Sequence, residues 1–262
     1  MNDFAAPDYT APDYTAPDYT APDYTAPDYT APDYNLQLRW ADLDTLNHVN
    51  NVRYVDFALE ATGQLISDGV VPGDVDIIRI EVDFLRPLML SLNPIRISSA
   101  VVDGRILQEI HADDEVFAKV ATDFGSLTMR FAKPRTGPVY AGQVRRADRD
   151  GSGHITPAKV FELFQESRIL HFARLLDRHA AGDFVVAKLT VDYHRPICWR
   201  PEPWLISSWI SSVGNSSMEI SSHIADGDEL YATCEAILVG FDMSTQKSRK
   251  LSQDEKDQLT PS

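Results

Sequence analysis

Cysteine is nearly absent: two in 262 residues, Cys198 and Cys234, with no CxxC pair and no cluster of ligand types around them. That scarcity argues against a disulfide framework and makes a reduced, cytoplasmic compartment the expectation. No charged start followed by an apolar run opens the chain, so no signal peptide is expected. No apolar run approaches the roughly eighteen residues that would read as a membrane span. Basic residues are also scarce, 24 against 39 acidic ones, for a formal net charge of −15. A field of that sign disfavours nucleic acid or an anionic membrane as partner. No cofactor and no metal are expected.

What is there begins with a repeat. From Ala6 to Tyr34 the tetrad A-P-D-Y recurs six times, spaced by Thr. Proline at every fifth position fixes φ and removes a donor, and no apolar face forms at either regular period. Residues 1–34 read as an extended, disordered arm. With Asp3 its seven aspartates carry almost half of the net charge. A solubilising tail and a tyrosine-bearing docking arm both remain open.

A second repeat is longer. When "RWADLDTLNHVNN" is placed over "RRADRDGSGHITP", Arg39, Ala41, Asp42, Asp44 and His48 fall on Arg145, Ala147, Asp148, Asp150 and His154 at one constant offset. Downstream, "VDFLRP" at Val82 lies over "VDYHRP" at Val191, and "ISS" at Ile97 over "ISS" at Ile206, after a three-residue slip. Matched segments in one order imply two copies of one module, over 35–135 and 136–243, followed by a polar tail over 244–262. Each copy reads as a short strand (Leu36 to Ala41; Val139 to Arg145), an aspartate loop, a helix (Asn50 to Ile66; Pro157 to Leu176), then long strands punctuated by Gly and Asp. The first helix places Val52, Val55, Leu59, Thr62 and Ile66 at helical spacing. The second is apolar nearly all round, Leu170 included, and is expected to be buried. The predicted class is α+β: in each module a long buried helix wrapped by an antiparallel sheet, the two modules paired as a pseudo-dimer. Further assembly into a homo-oligomer stays open.

"DRDGSGHITPAK" in the second loop looks like the front of a calcium-binding EF-hand. Its twelfth position, however, is Lys159, where a bidentate Glu is needed, and a strand-like stretch precedes it instead of a helix. The sister loop has Leu46 where an oxygen donor belongs, which disfavours calcium.

The string "D-x-D-x-x-x-HVNN-x-x-Y", complete from Asp42 to Tyr54, resembles the signature of hotdog-fold thioesterases of the 4-hydroxybenzoyl-CoA thioesterase type, and is similar to that of acyl-ACP thioesterases. The second copy keeps Asp148, Asp150 and His154 but has Thr156-Pro157 and Val160 in place of Asn50-Asn51 and Tyr54. The resemblance implies a double hotdog whose fused halves mimic a homodimer. It also implies a catalytic loop carboxylate just before the central helix, which maps to Asp44 and, through the repeat, to Asp150.

Aspartate suits this chemistry because it is ionised at neutral pH and can attack a thioester carbonyl or take a proton from water. A position just before a helix also offers outward-pointing N–H groups for an oxyanion. His48, and His154 in the second copy, either orients the carboxylate or a water, donates to the substrate, or merely braces the loop. Asn50, Asn51 and Tyr54 are expected at the substrate, with helix capping the competing role for Asn51. Asp42 and Asp148 read as loop scaffolding, Arg86 and Arg195 as turn residues or phosphate contacts, and Cys198 as core. Some acyl-ACP thioesterases carry Asn two residues after the Asp, where this chain has Leu46 and Ser152. The departure favours acyl-CoA over acyl-ACP as substrate. A hotdog enoyl-CoA hydratase, whose Asp and His have four residues between them instead of the three found here, and a non-catalytic acyl-CoA binding module are the alternatives.

Overall fold

The computed structural model describes residues 29–132, 138–175, 184–242, 245 and 247–259. The first half runs β1 (Tyr29–Thr30), β2 (Tyr34–Leu36), a single 3-10 turn at Trp40–Asp42, α1 (Asn51–Ser67), β3 (Asp76–Phe84), β4 (Ile95–Val102), β5 (Arg105–Ala112), β6 (Glu115–Gly125) and β7 (Arg130–Phe131). The second half repeats the core of that order. It runs β8 (Val139–Gly142), a 3-10 turn at Arg146–Asp148, α2 (Pro157–Leu175), β9 (Phe184–Tyr193), β10 (Trp204–Val213), β11 (Ser217–Asp226) and β12 (Glu229–Asp242). β13 (Lys247–Ser248) and α3 (Gln253–Leu259) close the chain. The helices start at Asn51 and Pro157, the pair that the sequence offset aligns.

All pairings are antiparallel, and the sheet runs β1-β4-β5-β6-β3-β9-β12-β11-β10-β8, with β2 also on β4. The halves meet at the β3–β9 pair, where Ile80 faces Val191 and Val82 faces Leu189. Arg79 crosses this seam to Asp192 at 2.9 Å, and Lys188 crosses it to Glu81 at 3.1 Å. Strict alternation in β4, where Ile95, Ile97, Ser99 and Val101 are buried, turns one face inward toward the helices. Val52, Val55 and Ala58 of α1 share one apolar cluster with Phe161, Phe164 and Phe172 of α2 and with Ile80 and Val191 of the seam strands. Burying each of the larger side chains stabilises by about 1.5–3 kcal/mol, so neither helix is independent of the other half.

Several expectations need correcting. The first leading strand, expected over Leu36 to Ala41, is Tyr34–Leu36 followed by the 3-10 turn. α1 buries Val52, Val55 and Thr62 as expected, but Leu59 is half-buried and Ile66 exposed, and the covered face also takes in Tyr54, Phe57, Ala58, Ala61 and Leu65. On α2, Ile169 and Leu170 are exposed, so that helix is not covered all round. Leu176 lies outside the described residues, as does most of the N-terminal arm. The end of the arm is not loose: Tyr29 and Thr30 pair with Val101 and Ala100, and Ala31 donates to the Ser99 carbonyl at 2.9 Å. The tail likewise docks, with Leu251 and Leu259 buried.

Candidate active site

Each half builds the same loop. In the first, Leu43 and Val49 pair across it. The Asp44 amide donates to the His48 carbonyl at 2.8 Å, and the Asn47 amide to the Asp44 carbonyl at 3.2 Å. Closing so tight a turn needs a left-handed residue, which Asn47 supplies at φ 60° and Gly153 supplies in the second loop at φ 91°. The Asp44 carboxylate is part of the turn. Its Oδ1 accepts from the amides of Leu46 at 2.8 Å and His48 at 3.1 Å, and no described donor reaches Oδ2. His48 therefore does brace the carboxylate, but through its backbone; its ring makes no hydrogen bond among the described residues. The loop is then stitched to the chain beyond β3, with His48 pairing Met89 and the Val49 amide donating to the Leu88 carbonyl at 2.8 Å.

Asn50 caps α1, its side-chain oxygen accepting from the Val52 amide at 3.0 Å. The Asn51 amide, first in the helix, takes no partner among the described residues. Tyr54, expected at the substrate, is buried. Its ring lies in the core against Phe84, and its hydroxyl accepts from the Leu88 amide at 3.3 Å. Burial, with the nearby Asp44 charge adding to it, raises this phenol well above its ordinary range. Asp42 and Asp148 are scaffold, each accepting the amide of Arg39 or Arg145 at 2.7 Å.

The second loop adds a hydroxyl. Asp150 Oδ1 accepts from the amides of Ser152 at 2.9 Å and His154 at 3.0 Å, and from Ser152 Oγ at 2.6 Å. Ser152 Oγ also lies 2.9 Å from His154 Nδ1. Partial burial alone would raise Asp150, but the Ser152 hydroxyl and the two amides outweigh it and hold the carboxyl below its ordinary value.

An open cleft of about 570 Å³ runs along the outer side of α1 past Asp56, Leu59, Glu60, Gly63, Gln64 and Ser67, with Tyr34 on its wall. Its one lining residue from the second half is Thr156, two positions after His154. Neither Asp44 nor Asp150 lines it.

Comparison with known proteins finds a thioesterase model for each half. Residues 26–124 match the acyl-ACP thioesterase C-terminal domain and residues 144–259 the thioesterase-like superfamily. Each half is thus similar to a thioesterase family, and the two matches together support a thioester hydrolase. No curated relative matches it. Among solved structures, a Lactobacillus plantarum protein provisionally described as an oleoyl thioesterase superposes with a TM-score of 0.61 at 13% identity, over 83% of this chain and 98% of its own. The 12:0-ACP thioesterase from Umbellularia californica gives 0.59 at 11%, over 85% and 98%. A hot dog fold protein from Alicyclobacillus acidocaldarius gives 0.54 at 13%, over 80% and 93%. At these identities the likeness speaks for the fold.

The two loops differ most at their rims. The first loop and the segment stitched to it carry Trp40, Leu46, Met89, Leu90 and Leu92, all exposed, Trp40 at 75% and Leu92 at 94%. The corresponding second-half positions are Arg146, Ser152, Cys198, Trp199 and Pro201. There the Arg146 guanidinium stacks over the Trp199 ring at 4.1 Å, and Arg149 lies 5.9 Å from the same ring. Cys198 is exposed instead of core, as is its counterpart Met89. Cys234 is the buried cysteine, and burial pushes its thiol up to about 12, where it is no nucleophile. Arg86 and Arg195 are turn residues, paired with Glu115 at 2.5 Å and Glu229 at 3.3 Å.

Sequence reasoning passed over Asp56, which lines the cleft. Burial raises its carboxyl, against the opposing pull of Arg53 and of Lys159 from the other half. Glu162 occupies the matching place on α2, with Lys159 at 2.5 Å as Arg53 stands to Asp56. The shared offset of these two acids was a signal open to the sequence.

Proposed function

We propose that this thioesterase hydrolyses a fatty or aromatic acyl-CoA to free acid and CoA, with Asp44 as its principal catalytic carboxylate. The observation that carries this is the division of labour within one side chain. Oδ1 is fixed by two amides, while Oδ2 has no donor among the described residues and stays available at the mouth of α1. That oxygen attacks the carbonyl carbon or takes a proton from water as it attacks. The thiolate of CoA leaves without needing a strong acid. The unpartnered Asn51 amide, at the positive end of the α1 dipole, is the donor for the oxyanion that develops. The guanidinium groups of Arg146 and Arg149 supply the cationic surface that a phosphate-bearing carrier needs on so acidic a protein. His48 is kept for the substrate side, since its ring makes no hydrogen bond among the described residues while its amide holds Asp44.

Asp44→Asn is the test, because an amide oxygen can still accept both loop N–H groups while losing the charge. Thiol release followed with dithiobisnitrobenzoate should show kcat lower by about a hundred-fold or more with KM little changed. Full turnover in Asp44→Asn refutes the assignment.

A further inference from the structure

We infer that the second loop is a histidine-based site in which Ser152 fixes the imidazole tautomer of His154, so that the two halves run hydrolysis with different bases. The inference rests on the thioesterase reading above. It begins from a count of hydrogens. Ser152 Oγ has one proton and two partners, Asp150 Oδ1 at 2.6 Å and His154 Nδ1 at 2.9 Å. An ionised carboxylate can only accept, so the hydroxyl proton goes to Asp150. The contact to His154 then requires Nδ1–H to donate to Ser152 Oγ. In the neutral ring Nε2 is left with its lone pair.

The chain His154–Ser152–Asp150 thus presents an oriented base whose positive charge, once formed, is balanced through a hydroxyl by a carboxylate. The first loop has no such relay, because Leu46 stands where Ser152 does and the His48 ring makes no hydrogen bond among the described residues. A second observation agrees. The cleft beside α1 reaches the second half at Thr156, two positions after His154. Pro157 carries no amide hydrogen, but the Ala158 N–H has no partner among the described residues and can serve the oxyanion.

In the step itself water oxygen bonds to the carbonyl carbon as its proton moves to Nε2. The tetrahedral intermediate collapses with cleavage of C–S, and the departing thiolate takes the proton back from Nε2–H. The products are one carboxylic acid and one thiol. His154 is the catalytic residue and Ser152 a positioning residue.

The decisive measurement does not depend on activity. Long-range 15N–1H correlation spectra of the full chain, with the His154 signal assigned by its loss in His154→Gln, report which ring nitrogen carries the proton. The wild type should show Nδ1–H, Ser152→Ala the Nε2–H form, and Ser152→Thr the wild-type pattern. A wild-type ring protonated at Nε2 overturns the inference even if the protein cleaves thioesters. In an Asp44→Asn background, thiol release should persist at a reduced level. Adding Ser152→Ala should then lower kcat a further ten-fold or more at unchanged KM, with Ser152→Thr restoring it. No residual turnover in Asp44→Asn, or no further loss on adding Ser152→Ala, also overturns it. A wild type that releases no thiol from any acyl-CoA defeats the functional reading instead, and leaves the tautomer result standing.

Discussion

Asp44 and Asp150 show how far a few residues determine local geometry. The carboxylate, the amides it collects and the left-handed residue that closes the turn all lie within five positions, so the loop follows from local chemistry and was legible in the string D-x-x-x-H. What the sequence did not reveal depends on distant chain. Cys198 and Met89 face outward because the segments after β3 and β9 turn their side chains away from the core. Asp56 feels the charge of Lys159 only because the other half brings that cation near α1. Histidines offer a test at the same scale. Burial, reinforced by Arg130, lowers His194 from 6.5 to about 4, and burial lowers His111 and His171 in the same direction. As pH falls through 6.5 the unfolded chain takes up a proton that the folded His194 refuses until about pH 4. Stability is therefore expected to drop across that window. Thermal melts should show His194→Gln losing less between those limits than the wild type; parallel curves would mean that His194 does not set the slope.

Between elements the controlling quantity is how closely helix and sheet approach. β8 comes nearest to α2 at Gly142, where an added Cβ would stand 2.7 Å from Leu163 Cδ2 and 3.0 Å from Ile206 Cδ1. Gly142→Val should destabilise the fold by about 1–3 kcal/mol through overpacking, measured as a lower urea midpoint at unchanged m; an unchanged midpoint would show that α2 can retreat. Helix positions were readable from capping residues and periodicity, Asn50 and Pro157 in particular. Which arc of each helix is covered was not. Leu59, Ile66, Ile169 and Leu170 satisfy an apolar pattern yet lie toward cleft or solvent, because the neighbouring helix covers only part of that stripe. The hydroxyl chain Ser167–Ser208–Ser222, at 2.7 and 2.8 Å, ties α2 to β10 and β11 by residues whose pairing no local pattern announces.

At the scale of the molecule, the shared core and the β3–β9 seam make the halves one cooperative unit. Trp40 lies in the first half and Trp199, Trp204 and Trp209 in the second, so fluorescence weights the second half while far-UV circular dichroism sees both. The two signals should trace the same urea transition. A fluorescence step separate from the dichroism step would show that one half can melt alone. The sheet's flanks carry a further consequence. β4 is shielded by β1, of two residues, and β2, of three, and at the far side β10 is shielded by β8, of four. Such stubs give a foreign strand almost nothing to zip onto. At these flanks a neighbour therefore meets chiefly the shape and chemistry of side chains, with bare backbone left mainly along Ser208–Val213 of β10, which β8 does not pair among the described residues.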